Sequence, residues 1–126
     1  MLSIDFSNLK NERPQFSRSW DLLELWRREH QDARVISPTA VVQFVKHETP
    51  ISWEDATQLL IALELLADWG YLRRQFAVQA PSGQLLHPYY GSRAAIPKRV
   101  KDQFGEGLNT EEAEISPVFV GAADDE

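Results

Sequence analysis

Apolar residues recur at helical spacing through most of the first seventy positions and then switch to strict alternation, and that change of period organises the chain. Residues 1–18 are mixed, contain Pro14 and read as an N-terminal arm. Ser19 stands at an N-cap position ahead of a helix from Trp20 to about Gln31. Leu22, Leu23 and Trp26 give that helix an apolar side, while Arg27, Arg28 and Glu29 face water. Arg34-Val35-Ile36 is a short extended link. Ser37-Pro38 then pairs a capping residue with proline at the first helical position, followed by Val41, Phe44 and Val45 at core spacing. This second helix has to stop before Pro50. Ser52-Trp53-Glu54-Asp55 resembles a capping box with Asp in place of the usual Glu. It opens the clearest helix of the chain, which runs to Trp69 and ends at Gly70, a left-handed stop. Ala56, Leu59, Leu60, Leu63, Leu66 and Ala67 share one arc of that helix, its expected core face.

From Tyr71 the period becomes two. Leu72, Arg74, Phe76 and Val78 alternate with Arg73, Gln75, Ala77 and Gln79, a strand pattern. Ala80-Pro81-Ser82-Gly83-Gln84 has proline and glycine where a short hairpin loop wants them. Leu85 to Tyr90 is the return strand, and Pro88, which cannot donate to a ladder, assigns it to a sheet edge. Pro97 to Phe104 reads as a last short helix with Val100 and Phe104 on one side. From Gly105 onward the acids outnumber large apolar residues, and the expectation is a disordered tail.

Helix, short strand, helix, tight turn, helix and hairpin is the order of elements in a winged helix-turn-helix domain. Ser52, Ala56, Leu60, Leu63, Leu66, Gly70, Tyr71 and Leu72 resemble that superfamily's pattern of a capped third helix that ends in Leu-x-x-x-Gly and enters the wing. The segment Ala62 to Arg73 is also similar to winged-helix tails of mobile-element primase-helicases, although those continue with a Gly-Arg-Pro wing where this chain has Pro81-Ser82-Gly83. The resemblance implies an α+β, mainly α fold: a three-helix core plus a two-stranded β-hairpin wing over residues 19–104, with a disordered acidic C-terminal tail at 105–126. A scaffold of this kind serves DNA binding, RNA binding and protein bridging alike, so it does not fix a function.

The composition, 43% hydrophobic and 25% charged over 126 residues, suits one globular domain. There is no cysteine, which excludes disulfides and thiolate chemistry and suits a cytoplasmic location. The N-terminus has no basic segment followed by an apolar run, so no signal peptide is expected, and Leu59–Leu66 is too short to span a bilayer. The net charge of −6 conceals segregation. Residues 69–101 hold six bases (Arg73, Arg74, Arg93, Lys98, Arg99 and Lys101) and no acid, whereas residues 102–126 hold eight acids and no base.

Nothing in the sequence supports catalysis, and no cofactor or metal is expected. His47-Glu48 starts like a zinc-protease helix but lacks a second histidine four residues later, and Pro50 breaks the helix. His30 and His47 sit near helix C-termini, where histidine commonly supports the last carbonyls. Ser82 has no nucleophile elbow around it. Gly105-Glu106-Gly107 lacks the spacing of a phosphate cradle, and its Glu repels phosphate.

Two binding readings remain. The third helix offers acids and no base to a major groove, so sequence-specific reading by it is disfavoured. The wing is different: Arg73, Arg74, His87, Tyr89, Tyr90, Arg93, Lys98, Arg99 and Lys101 interleave bases with aromatics, as weak, non-specific nucleic-acid binding through the backbone requires. The same residues also suit an edge-packed, solvated face, or a face screened by the acidic tail. The competing reading is a protein adaptor or homodimer. It would use Ile61, Leu65 and Trp69 at i, i+4 and i+8 of the third helix, with Val118 and Phe119 of the tail's apolar island as a docking peptide. Those side chains can equally tuck beneath the wing or the arm.

Overall fold

Three of the four described α-helices start at a short polar cap. The computed structural model describes residues 4–121. Asp5 caps α1 (Phe6–Glu12) by accepting from the Asn8 N–H at 3.1 Å. A 3₁₀ turn at Pro14–Phe16 leads into α2 (Ser17–Glu29), which has no such cap: Ser19, expected to cap it, lies buried inside the helix, and the preceding residue Phe16 makes no side-chain cap. The two-residue β1 (Val35–Ile36) precedes α3 (Pro38–Glu48), whose cap Ser37 accepts from Ala40 N–H and which has Pro38 in its first turn. In α4 (Trp53–Asp68) the Ser52 hydroxyl accepts from Asp55 N–H at 3.0 Å, and the Asp55 carboxylate accepts from Ser52 N–H at 3.1 Å. Gly70, at φ +85°, ends that helix as expected.

The strands follow: β2 (Leu72–Gln79), β3 (Leu85–Tyr90), β4 (Arg99–Lys101), β5 (Gly107–Asn109) and β6 (Glu114–Gly121). One sheet has the order β1-β6-β2-β3; β4 and β5 form a separate two-stranded antiparallel ribbon. Strand β3, which contains Pro88, lies at a sheet edge, as expected for a strand that proline interrupts. Strand β1 pairs with β6 in the register Val35↔Val120 and Ile36↔Phe119.

The described residues divide into two compact units, 4–73 with 119–121 and 74–118. The first is helical. Its core gathers Phe6 and Leu9 of α1, Trp20, Leu23 and Trp26 of α2, Val41 and Val45 of α3, Leu59, Ala62, Leu63 and Leu66 of α4, and Phe119 of β6. Its buried polar groups are paired: the Trp20 indole donates to the Arg13 carbonyl at 3.0 Å, and His30 Nδ1 lies 2.8 Å from the Trp26 carbonyl. A carbonyl only accepts, so Nδ1 carries the hydrogen. Arg27 donates to the Ile4 carbonyl and lays its guanidinium over the Phe6 ring, 4.6 Å from the centroid. Lys10 reaches Asp21, whose hydrogen bond holds the ammonium above its ordinary pKa. The second unit is built on strands: Val78, Ala80 and Leu86 are buried, with Tyr90, Ile96, Val100, Leu108, Ala113 and Ile115 packed against them.

The three-helix core with a two-stranded wing is therefore not the architecture. Among the described residues, four α-helices and six strands in two antiparallel sheets replace it. The segment read as an arm supplies α1, because Asp5 caps it and Phe6 and Leu9 fall on one side, both buried. The segment Pro97–Phe104 contains β4 rather than a helix. Val100 between Arg99 and Lys101 satisfies a period of two, and its partner across the ribbon is Leu108. The expected disordered tail contains β5 and β6 within its described part, up to Gly121. Among its described acids Glu111 and Glu112 lie in a turn and Glu114 opens β6, while Ile115, Val118, Phe119 and Val120 supply buried or half-buried area that offsets the entropy of ordering. Residues 122–126 lie outside the described residues.

Candidate functional site

Helix α4 carries two apolar faces. Leu59, Ala62, Leu63 and Leu66 are buried. Trp53, Leu60 and Ile61 lie on the opposite side at i, i+7 and i+8, with 81%, 42% and 41% of their surface exposed. Thr57 and Glu64 fall on the same side. Trp53 occupies the first helical position, so the capping box that fixes the helix start also fixes where this indole stands. Helix α4 contains Glu54, Asp55, Glu64 and Asp68 and no Lys, Arg or His; Glu54, Glu64 and Asp68 fall on the side of the outer strip, whereas Asp55 is half-buried, closes the capping box and faces Arg18.

Of the residues expected at a protein interface, Ile61 alone stands in that strip. Leu65 is half-buried, and Trp69 packs inward: its ring lies 6.3 Å from that of Trp20, under the Arg13 guanidinium at 4.8 Å. Val118 and Phe119 are buried residues of β6 rather than a free docking peptide. Trp53 and Leu60 were missed because a helical wheel is centred on the most hydrophobic arc. That choice places Leu60 inside, whereas the fold buries Ala62 in its stead.

The basic residues are dispersed. Arg73 belongs to the helical unit and Arg74 to the strand unit, both exposed on β2. His87 is exposed on β3, its ring 5.1 Å from that of half-buried Tyr89, and Tyr90 packs against the small core. Arg93 lies over Phe76 at 5.2 Å. Arg93 and Lys98 share a cleft of about 220 Å³ with Glu111. Arg99 and Lys101 flank the inward-facing Val100 and so project from the outer face of the β4–β5 ribbon, beside Asn109 and Gly107. The strand unit holds five bases (Arg74, Arg93, Lys98, Arg99, Lys101) and five acids (Asp102, Glu106, Glu111, Glu112, Glu114). The charge segregation along the sequence thus does not become a uniformly basic unit.

The ribbon ends in a closely held turn. The Asp102 carboxylate accepts from the N–H groups of Phe104 (2.8 Å) and Glu106 (2.9 Å), and Asp102 N–H donates to the Glu106 carbonyl. Gly105, at φ +82°, completes it, and Gln103 Nε2 donates to Ser82 Oγ at 3.2 Å. Phe104 stands on this turn 82% exposed, although its spacing from Val100 suggested a packed helical side.

A second cleft, of about 470 Å³, lies between Gln79–Pro81 and Leu108, Glu112 and Glu114 of the strand unit. Its two carboxylates have no nucleophile or histidine beside them in its lining. Among the described residues no cluster of three His, Cys, Asp or Glu is placed to hold a metal ion, and no helix is long and apolar enough to cross a membrane. Comparison with protein-family models, curated proteins and solved structures gives no match for this chain.

Proposed function

We propose that the chain is a non-enzymatic interaction module whose helix α4 docks a basic, amphipathic helical segment of a partner protein. The exposed Trp53–Leu60–Ile61 strip carries this reading. Full burial of an exposed apolar side chain is worth about 1.5–3 kcal/mol, of which the isolated chain leaves most ungained at Trp53 and less than half at Leu60 and Ile61. A buried aromatic anchor with aliphatic neighbours is the usual centre of a protein interface. The carboxylates bordering the strip select a partner with Lys or Arg flanking its own apolar side. A second copy of this chain would set carboxylates against carboxylates, which disfavours a homodimer through this helix.

The test uses an amphipathic Leu/Lys helical peptide as probe, with a Leu/Glu peptide of the same pattern as control. Trp20 and Trp26 are buried and Trp69 is half-buried against Trp20, so a blue shift of emission on docking that is lost in Trp53→Phe reports Trp53. The Leu/Lys peptide is expected to bind at least about tenfold more tightly than Leu/Glu, a difference of about 1.4 kcal/mol. Leu60→Glu with Ile61→Glu should abolish binding while leaving the melting temperature within about 2 °C, as exposed sites permit. Equal binding of both peptides, or undiminished binding by the double variant, overturns the reading. Dissociation of a dimer by the same variant would make the occupant a second copy and overturn it as well.

A further inference from the structure

We infer that the β4–β5 hairpin is a separate contact for single-stranded nucleic acid, with Phe104 stacking on an exposed base and Arg99 and Lys101 neutralising the flanking phosphates. This inference is independent of the α4 reading and rests on other residues.

The turn is built to hold an aromatic ring in water. Two backbone N–H groups on one carboxylate, a cross-turn backbone bond, a glycine at positive φ and a side-chain bond to Ser82 fix residues 102–106. Such preorganisation removes the ordering cost that a mobile loop would meet on binding. Behind the ring, pairing of Val100 with Leu108 turns that side of the ribbon to the small core and leaves Arg99 and Lys101 outward. Gly107 contributes by having no side chain. A Cβ there would sit 3.2 Å from Arg99 Nη2 and 3.6 Å from Nε, so the guanidinium lies across the glycine, towards the turn end of the ribbon. Lys98 is exposed immediately before β4, and its backbone is held by Thr110, whose N–H donates to the Lys98 carbonyl at 2.9 Å.

An aromatic platform with adjacent cations is what sequence-tolerant single-strand binding uses, because every base has a π-face and every nucleotide a phosphate. A duplex offers no free base face to the ring. An anionic lipid surface fits less well because the turn offers only one apolar side chain to insert; Glu106 beside it repels lipid and nucleic-acid phosphate alike and so lowers the affinity for either. The net charge of −6 opposes approach of any polyanion, so binding is expected to be weak and confined to low salt.

The experiment is fluorescence anisotropy of the full chain on labelled oligo-dT, oligo-rU and a mixed-sequence duplex, with phosphatidylserine vesicles as the lipid arm. Single strands should bind more tightly than the duplex. The slope of log K on log salt should be roughly −1.4 to −2, two to three phosphates engaged on a single strand. Phe104→Ala should weaken single-strand binding about 5- to 100-fold, Phe104→Trp should retain it, and Phe104→Leu should behave like the alanine variant. Arg99→Ala with Lys101→Ala should flatten the salt slope, whereas Lys46→Ala in the helical unit should not. All these sites are exposed, and unchanged melting curves confirm that the variants fold. No binding at low salt, full binding by Phe104→Ala, or a Leu variant as good as wild type would each overturn the inference. Vesicle binding with Leu retained would assign the turn to a lipid surface instead.

Discussion

Phe119→Ala tests the part of the fold that departs furthest from the sequence pattern. Phe119 is 2% exposed, belongs to the helical core and lies opposite Ile36 in the β1–β6 pair. Truncating a buried Phe removes its transfer free energy and leaves a cavity that neighbours only partly fill, at about 3–5 kcal/mol. A chain of this size has a total stability of about 5–15 kcal/mol, so the loss is a large fraction of it. With a urea m-value of about 1–3 kcal/mol/M, the midpoint should fall by at least 1 M at constant m. The melting temperature should drop by about 10 °C or more. Tryptophan fluorescence is the natural probe, since Trp20 and Trp26 lie in the same core. Glu112→Ala, at an exposed turn position of the same C-terminal segment, is the control and should shift nothing measurable. An unchanged midpoint for Phe119→Ala would show that residues 114–121 behave as a solvated tail, and β6 would fall with its pairing to β1.

Gly70→Val should destabilise the chain by about 1 kcal/mol or more, read as a fall in urea midpoint. A Cβ at Gly70 meets nothing within 4 Å, so the cost comes from φ +85° alone, and Gly70→Asn should cost less. Trp69→Ala should cost about 2 kcal/mol through loss of the Trp20 and Arg13 contacts, and a neutral result would return Trp69 to the surface.

The features legible in the sequence are those fixed by a few neighbouring residues. Ser37-Pro38, the Ser52/Asp55 box, the Gly70 stop, the 80–84 loop and the edge position of Pro88 each follow from local stereochemistry and hold in the structure. The features that escaped depend on pairing at long range. Nothing near Val35-Ile36 indicates that its partner is Phe119-Val120, and the acids around Ile115 to Val120 lower the mean hydropathy enough to hide a buried strand. Residues 97–104 show a different difficulty. Val100 and Phe104 are one helical turn apart, yet Val100 also alternates with Arg99 and Lys101, and only Leu108 across the ribbon decides between the two periods.

Helix α4 shows how far a helical wheel reaches and where packing takes over. The wheel correctly places Leu59, Leu63 and Leu66 inside, because their side chains dominate any hydrophobic average. It cannot choose between Leu60 and Ala62 as the fourth member, since that depends on how closely a neighbouring element approaches. The fold buries Ala62 completely and turns Leu60 out beside Trp53 and Ile61. The helix is held at its start by the capping box, at its end by Gly70, and along its inner face by four buried residues. Polar residues at 53, 60 and 61 would be better solvated and would leave those three supports in place. On the proposed reading an apolar partner surface covers the exposed part of this strip, and Leu60→Glu with Ile61→Glu, with the melting temperature measured beside the affinity, separates loss of binding from loss of folding.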